Sequence, residues 1–578
     1  MTDKYIIGIN FLHSDTSACI FKNNELIAAA EEERFIRIKH TSNFPKNAIN
    51  YCLSVAGINL SQVDIISINS NPIQSLGRKI FFTLKNPLSI KLAISSLNNM
   101  QKKISIKKII QNIDQKNTFK GKIEYVDHHL SHISSSLFFS NFDECINLSL
   151  DGFGDFSSSA WGIFKNNKNV INERIFFPHS LGIFYQAITQ YLGFKNYGDE
   201  YKVMGLSSYG EPKFKDEISK IVFTTKKGFE LDLKYFVHHK KNIIKKSSEG
   251  QLEYNELYSN EFINLLGKAR KSNEPITHKH KDIAKSAQYV YEKIFIKLLN
   301  DLYNTYKIKN LTLSGGCIMN SVANGKILKL TPFENIYISP NPGDGGGSVG
   351  SAVAVLKKKS KKKIILKNYS YLGNEYTSSD IEKYIEENKE LKKFKIEKNN
   401  PEDLINKTVS FLIDSKIIGW FQGRMEWGPR ALGNRSILAD ARNPKIKDII
   451  NLKIKRRESF RPFAPSVLSE FSNDWFEIKK EVPYMSEVYP VKFEKQKILP
   501  AITHVDGTGR LQTVKKQDNE RYYDLIFKFY QLTSVPVILN TSFNENEPIV
   551  RNPQEAIDCF LRTNMDILVL EDWIIRRS

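Results

Sequence analysis

Apolar positions recur in short runs at the start of the chain, predicting strands over 5–10, 17–22 and 25–30 with Asn23-Asn24 as a hairpin turn. The pattern returns later. An apolar run over 146–151 ends in acid-glycine, 158–165 reads as a second strand, Asn166-Asn167 as its turn and 170–177 as a third. Phe21-Lys22-Asn23-Asn24 and Phe164-Lys165-Asn166-Asn167 match residue for residue, which points to an internal duplication. Ile106, Ile109, Ile110 and Ile113 fall at helical spacing inside the Lys-rich, acid-poor stretch 77–122, predicting a solvated helical insertion. The basic run from Lys357 to Lys363 follows an apolar helix ending at Leu356, and like charges at that density stay solvated. It marks the expected boundary between two α/β domains, 1–358 and 364–578.

Length agrees with that division, since 578 residues exceed what one core usually organises. Hydrophobic residues at 41% and charged residues at 25% are ordinary for a globular chain. No apolar run approaches the roughly 18 residues of a membrane span, and residues 1–10 lack the basic and apolar regions of a secretory signal. The cysteines Cys19, Cys52, Cys145, Cys317 and Cys559 are scattered without CxxC spacing, which disfavours disulfides and thiolate metal sites. A cytoplasmic location is the expectation. The formal net charge of +21 suits phosphate-bearing partners. Lysine is nevertheless spread along the chain without an RNA-recognition run, so no nucleic-acid partner is expected.

Candidate chemistry begins at Asp127-His128-His129-Leu130-Ser131-His132. Four-residue spacing puts His128 and His132 on one helical face, where they can share an ion. The HExxH glutamate is missing, so protease chemistry is not indicated. Asp151 at the end of a strand and Asp344 in Asn341-Pro342-Gly343-Asp344-Gly345-Gly346-Gly347 are acids at loop positions that complete a set suited to divalent iron, manganese or zinc. Gly343 and Gly345 precede an Ala/Val-rich helix, a place where backbone N–H groups meet a nucleotide phosphate. Gly315 and Gly316, with Asn320 beyond them, form a strand-to-helix turn of the kind that lies beside an adenosine. Duplicated meanders with facing hairpins are what an actin-like ATPase domain needs.

These residues, with Gly8-Ile9-Asn10, His13-Ser14-Asp15, Glu31-Glu32-Glu33-Arg34-Phe35 and Lys202-Val203-Met204-Gly205-Leu206, resemble the O-carbamoyltransferases of nodulation-factor and antibiotic biosynthesis, nearly end to end. The resemblance implies a first domain similar to the actin-like domain of the tRNA threonylcarbamoyl-adenosine proteins. It further implies a metal, iron foremost, at His128, His132, Asp151 and Asp344, and nucleotide contacts that include Lys202. Where family members often carry adjacent His-Asp, Ser14 stands before Asp15 and His13 falls one residue early. His13 is the expected base, with Asp15 as its orienter.

The second domain carries Phe421-Gln422-Gly423-Arg424-Met425-Glu426-Trp427-Gly428-Pro429-Arg430-Ala431-Leu432-Gly433-Asn434-Arg435-Ser436. Arginine forks grip phosphate oxygens in pairs and glycines permit close approach, so Arg424, Arg430 and Arg435 read as an anion pocket. Lys455, Arg457 and Arg461 add charge. Lys455/Arg457 with Ser542/Asn544 resembles the nucleotide-binding pattern of the YrdC-like fold, which makes carbamoyl-adenylates. The implied activity is ATP-dependent: carbamoyl phosphate is activated as carbamoyl-adenylate, with Mg²⁺ accompanying ATP, and its carbamoyl group passes to a hydroxyl of a small-molecule acceptor. A homodimer is left open. The competing readings are an actin-like kinase or ATPase, and a nucleic-acid-binding protein.

Overall fold

β1 (Tyr5–Asn10), β2 (Ser17–Lys22), β3 (Glu25–Glu31), β4 (Ile65–Ile68) and β5 (Lys122–Tyr125) form a sheet ordered β3-β2-β1-β4-β5. β1 is buried at every residue because it pairs on both edges, antiparallel to β2 and parallel to β4. β2 and β3 meet through the two-residue turn at Asn23-Asn24, where Asn23 takes a left-handed φ of 57°. This computed structural model describes residues 3–86, 106, 109–110, 119–247, 250–360, 362–366 and 368–577.

The same plan recurs. β6 (Cys145–Gly154), β7 (Ser157–Lys165) and β8 (Lys168–Phe176) make an antiparallel meander, and Asn310–Ser314 and Asn335–Ile338 extend it in parallel on the β6 side. Asn166 and Asn167 both adopt left-handed φ in the β7–β8 turn, the type I′ geometry that matches strand twist. Both sheets therefore run meander first and parallel strands second. Asn-Asn was legible as a turn because asparagine tolerates this conformation better than most residues.

The chain forms two compact units, Met1–Lys367 and Asn368–Ser578, that divide just past the lysine run. Of the stretch 77–122, the helix Leu76–Lys85 is described. Ile106 and Ile110 are buried in the core around β1 rather than solvated, because apolar side chains at that spacing find the sheet face. Ile113 lies outside the described residues. No helix among the described residues is long and apolar enough to cross a membrane.

In the first unit the helices His128–Leu137 and Gly347–Lys359 pack on each other, and the second also covers β1. Gly350 makes this possible, since a Cβ there would overlap the Ser131 carbonyl. In the second unit eight strands run in the order Lys395–Lys398, Trp573–Arg576, Ile567–Leu570, Ile418–Phe421, Arg435–Ala439, Val537–Ser542, Ala464–Leu468, Gln512–Val514. Arg435–Ala439 is buried at every residue and Val537–Ser542 over its first four, and Ile437, Leu438, Val537 and Leu539 anchor the core. Each such side chain contributes about 1.5–3 kcal/mol.

Candidate active site

Asp127 caps the helix His128–Leu137, accepting the Leu130 amide at 2.9 Å, while Arg174 holds the same carboxylate at 2.9 Å. The cap starts the helix at His128, so His132 follows one turn later on the same face. Both imidazoles are fully buried, with their Nε2 atoms 3.1 Å apart. β6 brings Asp151 Oδ2 to 3.1 Å from His128 Nε2 and 3.7 Å from His132 Nε2. The turn before Gly347–Lys359 brings Asp344 Oδ1 to 3.6 and 3.4 Å from the same atoms.

These four residues fit a divalent metal. Ligands roughly 2.0–2.2 Å from a tetrahedral ion lie about 3.3–3.6 Å from one another, and the separations here straddle that range. Two Nε2 atoms in contact cannot both donate, and Asp344 Oδ1 is buried without accepting a hydrogen bond. A cation among them would resolve both conflicts. Burial opposes charge on His132, yet Asp151 and Asp344 push it up to about 10. Burial likewise opposes ionisation of Asp151, and the two imidazoles outweigh it, holding that carboxyl well below the usual range.

Surrounding contacts orient the ligands. The Gly316 N–H donates to Asp151 Oδ1 at 2.8 Å, Ser14 Oγ donates to Asp344 Oδ2 at 2.7 Å, and Asp155 accepts the His128 amide at 2.9 Å. Gly154 leaves room for the His128 ring, which a Cβ would overlap. His13 stacks on His128, ring centroids 4.6 Å apart. The imidazole that Asp15 Oδ1 engages, at 2.8 Å, is that of His40. Asp15 itself sits at a left-handed φ of 52° in the turn after β1.

Of the residues expected to meet nucleotide, the glycines lie beside the ligands of this centre. Gly315 and Gly316 adjoin Asp151, and Gly343 and Gly345 flank Asp344. Asn320 caps a short helix through Ala323 N–H and exchanges amide hydrogen bonds with Gln288, so both ends of its side chain have protein partners. Lys202 pairs with Asp199 at 2.9 Å. Val237 to Lys240 is partly interior: His238 and His239 are buried, and His238 Nε2 lies 2.8 Å from the Pro178 carbonyl. His280 completes the capping box of the helix His278–Tyr306.

In the second unit the arginine-glycine block splits by role. Arg435 is fully buried and donates to the carbonyls of Gln422, Asn434, Asn374 and Gly423 at 2.6–3.0 Å, stacked 3.6 Å over Phe421. Arg424 donates to the carbonyls of Leu372 and Gly373. Glu426 Oε1 accepts the amides of Leu432, Asn434 and Arg435, so ionic side chains shape the loop from inside. Lys455 is buried too, and its Nζ donates to the Ser542 and Asn544 carbonyls and to Asn544 Oδ1. That joins Lys455, Ser542 and Asn544 in one network.

Arg430, Arg457 and Arg461 gather around Arg510, which sequence reasoning missed. Burial, then the charges of those three guanidinium groups, hold Arg510 well below the usual arginine range. Glu458 reaches Arg461 at 3.4 Å. Concentrated positive charge of this kind suits a polyanion such as a phosphate chain. The available signal was Thr508-Gly509-Arg510 on a short strand, too brief to separate from any turn.

Residues 5–353 match the family model described as Carbamoyltransferase N-terminus, and residues 409–577 match Carbamoyltransferase C-terminus. The chain belongs to the carbamoyltransferase family. This carbamoyltransferase is 34% identical to nodulation protein NolNO of Sinorhizobium fredii over 98% of its own length and 79% of the relative's. It is 38% identical to an uncharacterized protein of Synechocystis sp., covering 99% and 97% of the two chains. The solved structure of T. kodakarensis HypF aligns with 63% of this chain and 49% of its own, at 16% identity and a TM-score of 0.30. As an enzyme of the carbamoyltransferase class, the chain holds two candidate centres of different character. One is a compact His/Asp cluster between residues 128 and 344, the other a guanidinium cluster between residues 430 and 510.

Proposed function

We propose that this carbamoyltransferase is an ATP-dependent O-carbamoyltransferase with activation in the second unit and transfer in the first. What supports the reading is that pairing of a metal-type centre with a guanidinium cluster in a chain of this family. The first unit is read as the actin-like transfer domain and the second as the YrdC-like adenylate-forming domain.

Carbamoyl phosphate and ATP repel one another, so bringing them together needs fixed cations. Arg430, Arg457, Arg461 and Arg510 supply that charge, while Arg435, Arg424 and Lys455 shape the loops that carry it. Water takes the phosphoryl group from carbamoyl phosphate, and the carbamate released displaces pyrophosphate from ATP. The product is carbamoyl-adenylate. It hydrolyses readily, so its carbamoyl group must be passed on without meeting bulk water.

His128, His132, Asp151 and Asp344 would hold a divalent ion, with iron foremost, which when bound supplies Lewis acidity toward the carbamoyl carbonyl. Ser14, Gly316 and Asp155 keep those ligands oriented. His13, stacked beside His128, takes the proton of the acceptor hydroxyl. The acceptor is a small molecule.

Incubation with carbamoyl phosphate and labelled ATP tests the reading. Pyrophosphate release that depends on carbamoyl phosphate, and a carbamoyl mass gain in a candidate hydroxyl pool, are expected. ADP as the nucleotide product would instead support a kinase or ATPase.

A further inference from the structure

Two residues of the turn after β1 hold left-handed backbone that side-chain-bearing residues seldom adopt, Leu12 at φ 62° and Asp15 at φ 52°. Such a turn needs external anchors. Asn10 Nδ2 supplies one, donating to the Ser14 and Asp15 carbonyls at 2.8 and 2.9 Å, and is itself fixed by Asn69 at 2.9 Å. The anchor on the Asp15 side chain is His40.

His40 is tied down in turn. Its amide donates to Glu33 Oε2 at 3.0 Å, while Glu33 Oε1 pairs with Arg34 at 2.6 Å. Its ring meets Tyr197 edge-on, centroids 5.3 Å apart, and the Tyr197 hydroxyl shares a 2.6 Å hydrogen bond with Ser14 Oγ. His40 thus reaches Ser14 by two routes, through Asp15 in the turn and through Tyr197.

We propose that His40 is a positioning residue for the transfer centre: held against Asp15, it sets the His13-Ser14-Asp15 turn so that Ser14 grips the ligand Asp344 and His13 lies on His128. This rests on the first unit being the transfer centre. Charge is part of the device. Asp15 and Glu33 face His40, Glu200 lies within electrostatic reach, Lys39 opposes them, and Tyr197 meets the ring edge-on. Burial disfavours the imidazolium, but Asp15 and then Glu33 push it up to about 9, so the pair is ionic at neutral pH.

The test uses the full chain, stripped of metal and titrated with Mn²⁺ against a competing chelator. His40→Gln lowers Mn²⁺ affinity about tenfold, as loss of an outer contact to a ligand does. Added to Ser14→Ala, it lowers affinity no further than Ser14→Ala alone. The affinity advantage of the wild-type chain over His40→Gln shrinks as pH rises through about 9, whereas that of His40→Arg, which keeps the cation, persists there.

Unchanged affinity in His40→Gln, additive losses in the double variant, or a wild-type chain that binds no Mn²⁺ overturns the proposal. If His40→Gln does not fold, matching pH profiles for His40→Arg and the wild type overturn it instead. Absence of carbamoyl-phosphate-dependent pyrophosphate release would sink the functional reading while leaving this metal measurement intact, so the two failures are distinguishable.

Discussion

Ser14 Oγ donates to Asp344 Oδ2 across 2.7 Å, although 330 residues separate the two in the chain. The contact joins the turn after β1 to the loop that opens the helix Gly347–Lys359. Asp344 therefore spends one oxygen on the first sheet's hairpin and turns the other to the histidines.

Replacing His132 by alanine removes one of the four converging ligands. We expect bound divalent metal, read by elemental analysis, to fall from about one equivalent to a small fraction. The wild-type chain should also lose thermal stability on chelation, by roughly 2.7 kcal/mol if metal is present at 100 times its dissociation constant. His132→Ala should not respond to chelator.

Arg510→Gln separates binding from stability. Three other guanidinium groups repel Arg510 in the ligand-free chain, so neutralising it should raise the melting temperature. The same change should weaken use of carbamoyl phosphate and ATP by about 1.5–3 kcal/mol, the worth of hydrogen bonds to a charged group. Pyrophosphate release as a function of each substrate checks this, and a lower melting temperature would contradict it.

Arg435→Met should behave oppositely. Its guanidinium serves four backbone carbonyls in the interior, and methionine leaves those acceptors and the Glu426 charge without it. We expect a loss of about 3–5 kcal/mol, as for breaking a buried ionic group from its partners. The denaturant midpoint of the second unit reads it.

The His40–Asp15 pair gives stability a pH signature. The folded pKa of His40 is raised to about 9 from the ordinary 6.5, so its contribution is complete below about 6.5, shrinks above that and is gone beyond about 9. The difference in melting temperature between the wild type and His40→Gln should follow that course. A difference that grows with pH would refute the ionic pairing.

Several features were legible because they depend on neighbours along the chain. His128 and His132 converge because one helical turn separates them, whatever else the fold does. The Asn-Asn turns and the repeated meander follow from local backbone preference and period-two patterning. Asp151 and Asp344 were visible as acids at loop positions, and the family resemblance joined them to the histidines and brought the expectation of carbamoyl chemistry.

Other features required the fold. Arg435 looked like an anion grip by composition, yet it sits on a strand whose pairing with Ile418–Phe421 and Val537–Ser542 leaves its guanidinium inside the loop. Arg510 joins Arg430, Arg457 and Arg461 only through the packing of separate segments. Asp15 meets His40, 25 residues further along the chain, only once the turn after β1 and the segment after β3 are packed together. Local periodicity decides which way a side chain leaves its own helix or strand. Which partner it meets is decided by sheet register and helix packing, and these are summed over contacts between residues far apart in the chain.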